Sequence, residues 1–206
     1  MVMKNLINQL IQFVWGLKRP SKRTNIRLLH ERGENISSFI IRDAEPEDIP
    51  ALAALHVKTW SDTYWNVKHP PTYTTRENQW REQFKKIDGS WFCFVIENQQ
   101  GKLVGFAKGH SYSSQDLPGY SGELNKLYLL SEYQRLGLGR RLMGYVARRF
   151  LSKGITSMLL FGVPQNPSCN FHEALEGQKL FAKNGDFHGG YGWKDLTRLA
   201  EICPID

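Results

Sequence analysis

The stretch L-Y-L-L-S-E-Y-Q-R-L-G-L-G-R, residues 127–140, joins a strand-like apolar run from Leu127 to Leu130 to a helix-like run that begins at Leu138. The junction between them is built for an anion. Glycine at 137 and 139 removes the side chains that would hold a ligand off the backbone, and the unpaired amides of a first helical turn carry roughly half a positive charge. Phosphate suits such a site. Arg135, Arg140 and Arg141 add formal charge around those amides, which favours a pyrophosphate over a single carboxylate.

Two common phosphate-binding patterns do not fit. A dinucleotide fingerprint needs a third glycine where this chain has Leu142, and an acid about twenty residues on, where it reads Ser157, Met158, Leu159, Leu160. The Gly-Lys-Ser/Thr string of a P-loop does not occur. What remains is Q-x-x-G-x-G after a strand.

The wider segment E-L-N-K-L-Y-L-L-S-E-Y-Q-R-L-G-L-G-R-R-L, residues 123–142, closely resembles the acyl-CoA-binding motif of the GNAT superfamily of N-acetyltransferases. It has the acid at the strand start, the L-x-L triplet before the turn, the aromatic Tyr133 and the loop itself. Upstream, Ile41 to Ala44, Asp48, Ile49, His56, Trp60 and Tyr64 look like the first strand and helix of that family. Downstream, residues 166–177 resemble its N-x-x-A-x-x-F-Y-E-x-L-G-G element and residues 191–196 its closing strand. The resemblance implies an α/β (α+β) GNAT-type fold: a central twisted, mixed and mostly antiparallel sheet with one splayed parallel strand pair, flanked by helices. It places a single acyltransferase domain at 38–206, behind an amphipathic and basic extension at 1–37.

A chain of 206 residues with 41% hydrophobic content sustains one well-buried core and not two ordinary enzyme domains. The formal charge of +7 is concentrated at one end. Lys4, Lys18, Arg19, Lys22, Arg23 and Arg27 fall within residues 1–30, where no acid occurs, so the rest is nearly neutral and no nucleic acid is expected on the folded domain. Cys93, Cys169 and Cys203 show neither disulfide nor metal-ligand spacing, which fits a reducing cytoplasm and no metal. Leu6, Leu10, Phe13 and Leu17 recur at helical spacing. That helix is expected to pack on the domain, to join a second copy as a homodimer, or to touch a membrane surface weakly; a transit peptide is a further alternative.

Along the chain, residues 18–37 read as a polar connector and Phe39 to Ile41 as the first strand. Ile49, Leu52, His56 and Trp60 predict a helix, and a second runs from Thr75 to Phe84. Strands are expected at 91–97 and 103–110 around a turn, and a polar loop at 111–122. From Glu123 to Leu130 the apolar pattern changes phase, which a bulge explains. The parallel neighbour is expected at 157–161. The helix after the loop presents Leu138, Leu142, Val146 and Phe150 on one side and stops near Gly154.

The resemblance also implies chemistry. Acetyl-CoA is the cosubstrate, its pyrophosphate held by Gln134, Arg135, Leu136, Gly137, Leu138, Gly139 and Arg140 and its pantetheine by the backbone of Leu127, Tyr128 and Leu129. Glu123 is the candidate general base, and His172 stands where the family most often has a tyrosine general acid. An imidazole there, at its ordinary pKa of about 6.5, makes activity pH-sensitive near neutrality. Asn166 matches the asparagine that steadies this segment against the cofactor. Trp60 and Tyr64 sit at the acceptor side, suggesting a closed, partly apolar pocket in which a cationic amine meets an aromatic face beside Asp62 or Glu123. The expected acceptor is a small-molecule or peptide amine, acetylated directly in a ternary complex, since no cysteine occupies a nucleophile position. A noncatalytic acyl-CoA-binding or sensing module is the alternative, separated from the enzyme by turnover.

Overall fold

The computed structural model describes residues 21–64, 69–114, 116–164, 166 and 168–205; the amphipathic run at 6–17 lies outside them. Seven strands form one sheet: β1 Ile40–Asp43, β2 Trp91–Glu97, β3 Leu103–Ser111, β4 Gly122–Leu129, β5 Met158–Leu160, β6 Gln178–Phe181 and β7 Phe187–Trp193, in the order β1-β2-β3-β4-β5-β7-β6. Every neighbouring pair is antiparallel except β4 and β5. Six helices accompany them: α1 Lys22–Glu31, α2 Ile49–Thr63, α3 Tyr73–Phe84, α4 Leu138–Ser152, α5 Ser168–Ala174 and α6 Leu196–Ile202.

Both faces of the sheet centre are covered, which is why Phe92 to Ile96 of β2 are buried without interruption. On one face α4 buries Leu138, Leu142, Val146 and Phe150, all at 0% exposure. Burying each such side chain is worth roughly 1.5–3 kcal/mol, so this stripe is a principal anchor of the fold. On the other face α2 and α3 lay His56 and Trp80 over Phe106 of β3, with Leu52 of α2 also buried.

The expected bulge is present. Lys108 stands opposite Lys126 and Gly109 opposite Leu124, so Asn125 is the extra residue of β4. The phase change puts Glu123, Lys126 and Tyr128 on the α2–α3 face, and Leu124 and Leu129 on the α4 face. Parallel pairing with β5 is confined to Gly122 with Met158 and Glu123 with Leu159. Beyond the bulge, Leu127, Tyr128 and Leu129 pair with β3 alone.

The connector reading of residues 18–37 is corrected. Ser21 caps α1 by accepting from the Thr24 amide at 3.1 Å, and Asn25 and Leu29 are buried against the domain. Polar composition hid this helix, because its key buried residue is itself an amide. The second helix begins two residues earlier than expected, where Thr72 accepts from the Thr75 amide. The closing strand starts at Phe187, and Leu196, read as its end, opens α6 behind an Asp195 cap. The edge strand β6, largely exposed, was not foreseen.

Candidate active site

Between β4 and α4 the chain makes a 3-10 turn at Ser131–Tyr133 and then the glycine loop. Arg135 and Gly137 both take positive φ, 63° and 90°. Gly137 is the residue before α4 and has no side chain with which to cap it, so the helix offers no acceptor to the amides of Leu138, Gly139 and Arg140. At Gly139 an added Cβ would stand 3.4 Å from Leu129 and Phe171, which narrows the floor beneath those amides. Arg135, Gly137 and Arg140 are exposed, whereas Leu138 is core and Leu136 is partly buried against it. Arg141 Nη2 is turned to the Phe39 carbonyl, to which it donates at 3.4 Å.

The loop is held from three sides. Gln134 Nε2 donates to the Leu129 carbonyl at 3.0 Å, tying the turn to the end of β4. Asn25 Nδ2 donates to the carbonyls of Ser131 and Gln134 at 2.9 and 2.8 Å. Tyr133, 1% exposed, donates its hydroxyl to the buried Glu34 at 3.0 Å, beneath the guanidinium of Arg32 at 4.7 Å. Burial and that carboxylate push the Tyr133 phenol up to about 12. Asn25 and Glu34 were missed by the sequence reading; the Ser21 cap and the Ile26–Leu29 spacing were the signals that could have found them.

Glu123 opens the cleft side of β4 at the last rung shared with β5. Its Oε1 accepts from Asn125 Nδ2 at 3.1 Å, and its Oε2 lies 3.7 Å from His110 Nε2. The other ring nitrogen of His110 faces the Ser111 carbonyl at 2.9 Å, and a carbonyl can only accept, so that nitrogen carries the hydrogen.

His172 sits on α5, 6% exposed, packed against Tyr191 and Trp193. Its Nδ1 has no hydrogen-bond partner, and burial pushes its pKa down to about 4. An imidazolium is therefore not populated near neutrality, which corrects the expected pH sensitivity at about 6.5. Tyr191 donates its hydroxyl to Glu173 at 2.7 Å. Asn166 serves α5 directly: its Oδ1 accepts from the Ser168 amide at 2.9 Å. The Cys169 thiol is turned to the Val163 and Pro164 carbonyls.

Trp60 and Tyr64 lie with ring centres 5.0 Å apart and planes tilted by 41° at the end of α2, and the Tyr64 phenol neighbours that of Tyr128. Asp62 pairs instead with Lys58 on the exposed side, 3.4 Å away. A cleft of about 710 Å³ on this face lies between α3 and the β3–β4 ladder. Arg76, Lys108 and Lys126 line it over His56, and neither Trp60 nor Tyr64 is among its lining residues. Burial, with Lys126 adding, pushes Lys108 down to about 8, and burial likewise lowers Lys126 and Arg76. Among the described residues no group of three or more His, Cys, Asp or Glu side chains is placed to hold a metal, and no helix is long and apolar enough to cross a membrane.

Known proteins resemble this chain in sequence and in fold. The acetyltransferase (GNAT) family model matches residues 52–177. An uncharacterized N-acetyltransferase of Bacillus subtilis, YuaI, is 34% identical over 174 residues, 79% of this chain and 96% of that protein. The phosphinothricin N-acetyltransferase of Streptomyces viridochromogenes is 26% identical over 121 residues, 57% of this chain and 64% of its own. Among solved structures, the PaiA N-acetyltransferase of Thermoplasma acidophilum in complex with coenzyme A superposes with a TM-score of 0.59 at 20% identity, covering 75% of this chain and 98% of its own. From the span of the family match and the full-length likeness to the Bacillus protein, the chain belongs to the acetyltransferase (GNAT) family.

Proposed function

We propose that the chain transfers an acetyl group from acetyl-CoA directly to a primary amine, both bound at once. The observation that carries this reading is the parting of β4 from β5 after Glu123, beside the uncapped start of α4. That gap fits a long donor with a pyrophosphate at one end. Gln134 through Arg140 would hold the pyrophosphate, with exposed Arg135 and Arg140 adding charge, and alternate backbone groups of Leu127, Tyr128 and Leu129 would pair with pantetheine as a strand does. When bound, acetyl-CoA supplies an acetyl group already activated as a thioester.

The chain's own contribution is proton handling and position. Glu123 takes the proton from the attacking amine, and His110, within ion-pair reach and 32% exposed, passes it outward through the ring nitrogen that faces the carboxylate. Unpaired amides along β4 polarise the acetyl carbonyl. His172, neutral, donates an N–H hydrogen bond toward the departing sulfur rather than a proton, so the sulfur leaves as a thiolate and takes its proton from solvent, which balances the proton released through His110. Trp60 and Tyr64 wall the acceptor side. Turned toward backbone carbonyls, Cys169 does not act as a nucleophile, which favours direct transfer.

The test is calorimetric titration with acetyl-CoA, followed by thiol release over a panel of amines. Binding with turnover supports the reading, and folded protein that binds no acetyl-CoA sinks it.

A further inference from the structure

The α3 cleft gathers positive charge that the fold does not use. Lys108 and Lys126 stand directly opposite each other in the β3–β4 ladder, an arrangement that costs stability between like charges. Arg76 joins them from α3. Among the described residues none of the three has a carboxylate within ion-pair distance. Lys108 Nζ donates to the amide oxygen of Gln83 at 2.6 Å and Arg76 Nη1 to that of Gln79 at 2.8 Å. Glu82 of the same cleft is taken up by Lys85 at 2.6 Å, and Glu123 acts on the lysines only at longer range.

A second observation points to a ligand. His56, 2% exposed, lines the same cleft with neither ring nitrogen hydrogen-bonded, and the Arg76 Nε is likewise buried without a partner. Buried polar atoms are almost always satisfied, so orphans gathered in one cleft mark groups that a ligand completes. The rings of Trp80, Phe106 and Tyr128 hold the imidazole in place. Burial, with Arg76, Lys126 and Lys108 adding, keeps it neutral down to about pH 2, so it offers one N–H and one lone pair.

We propose that this cleft binds an oxyanion on the acceptor, so that the substrate is an amine that also carries a carboxylate or phosphate, gripped by Arg76, Lys108 and Lys126 over the His56 ring. The proposal rests on the acetyl-transfer reading and deepens it. The field that grips the anion also disfavours a protonated amine nearby, which leaves the nucleophile neutral for attack.

The experiment compares matched acceptors: an α-amino acid with its carboxamide, and an aminoalkyl phosphate with the corresponding aminoalcohol. The anionic member of at least one pair is expected to have a kcat/KM at least about tenfold higher, and whichever pair shows the larger ratio identifies the anion. In K108M/K126M, and separately in R76Q, that ratio falls to about threefold or less while acetyl-CoA affinity is kept. A direct measurement runs beside it. With coenzyme A saturating, inorganic phosphate at matched ionic strength raises the melting temperature of the wild type by about 3 °C and that of K108M/K126M by under about 1 °C. Neutral amines used as well as their anionic partners, or phosphate protection unchanged in the double variant, overturn the proposal. Absence of acetyl-CoA binding overturns the donor reading instead.

Discussion

Asn25 and Gln134 lie 109 residues apart in sequence, and the side-chain Nδ2 of the first donates to the carbonyl of the second at 2.8 Å. A helix that precedes the first strand thus fixes the backbone of the candidate pyrophosphate loop. Replacing Asn25 by alanine leaves the Ser131 and Gln134 carbonyls short of a donor, a loss of about 1–3 kcal/mol. Asn25→Asp keeps the size but brings an acceptor where a donor is needed and a negative charge under an anion site. We expect both variants to lower the urea midpoint, and Asn25→Asp to weaken acetyl-CoA binding further than Asn25→Ala by calorimetry. Equal affinities in the two would remove the loop from the account.

Strain and charge can be separated at Arg135. Its φ of 63° is a left-handed conformation, which costs a residue with a Cβ roughly 1 kcal/mol. Arg135→Gly is expected to unfold at the same urea concentration or higher, Arg135→Val at a lower one. Both lose the guanidinium, so acetyl-CoA affinity falls severalfold in each at low ionic strength and less in high salt. An affinity loss in the valine variant alone would assign Arg135 to conformation and not to charge.

Acid lability follows from two buried imidazoles. His56 and His172 are held down to about 2 and about 4, against an ordinary value near 6.5. Both are neutral in the folded chain, and the unfolded chain binds the extra protons. Their contribution is complete above about pH 6.5 and drains away as pH falls, through about 4 for His172 and about 2 for His56, at roughly 1.4 kcal/mol per pH unit for each group inside its window. Stability measured from pH 7.5 to 5 should fall accordingly, and His172→Phe should flatten that slope. An unchanged slope in the variant would show His172 to be accessible to protons in the folded state.

Glu123→Gln can still accept the Asn125 hydrogen bond, so the bulge and the fold are expected to persist. The kcat should drop about a hundredfold or more, with acetyl-CoA affinity unaltered. A loss under about threefold would pass the base role to another group.

The sequence made the region from Glu123 to Phe150 legible because each signal there has one cause. Consecutive apolar residues after an alternating start required a bulge, paired glycines required a turn, and a fourfold repeat of apolar residues required a buried helix face. Around Asn25 and Glu34 the same logic had nothing to grip, since a buried amide and a buried carboxylate look like solvent-facing residues until their distant partners are known. The charge of the α3 cleft was hidden for a related reason. Arg76, Lys108 and Lys126 come from three separate elements, and only strand register and helix placement bring them together. His56 was read as one turn of a helix, and it is buried; that both its nitrogens go unpaired is a fact of packing that no spacing reveals.

Asn125 is counted by the chain but not by the ladder. β4 is one residue longer than the neighbour it follows, and the opening beside it amounts to a difference in contour length written into the covalent sequence. Thermal motion cannot anneal it, because straightening the strand with every residue retained would turn Lys126 and Tyr128 into the α4 core and Leu127 and Leu129 out of it. Deleting Asn125 removes the mismatch while leaving every later side chain on its present face. The shortened protein is expected to fold, to extend the seam with β5, and to have no room left for a donor.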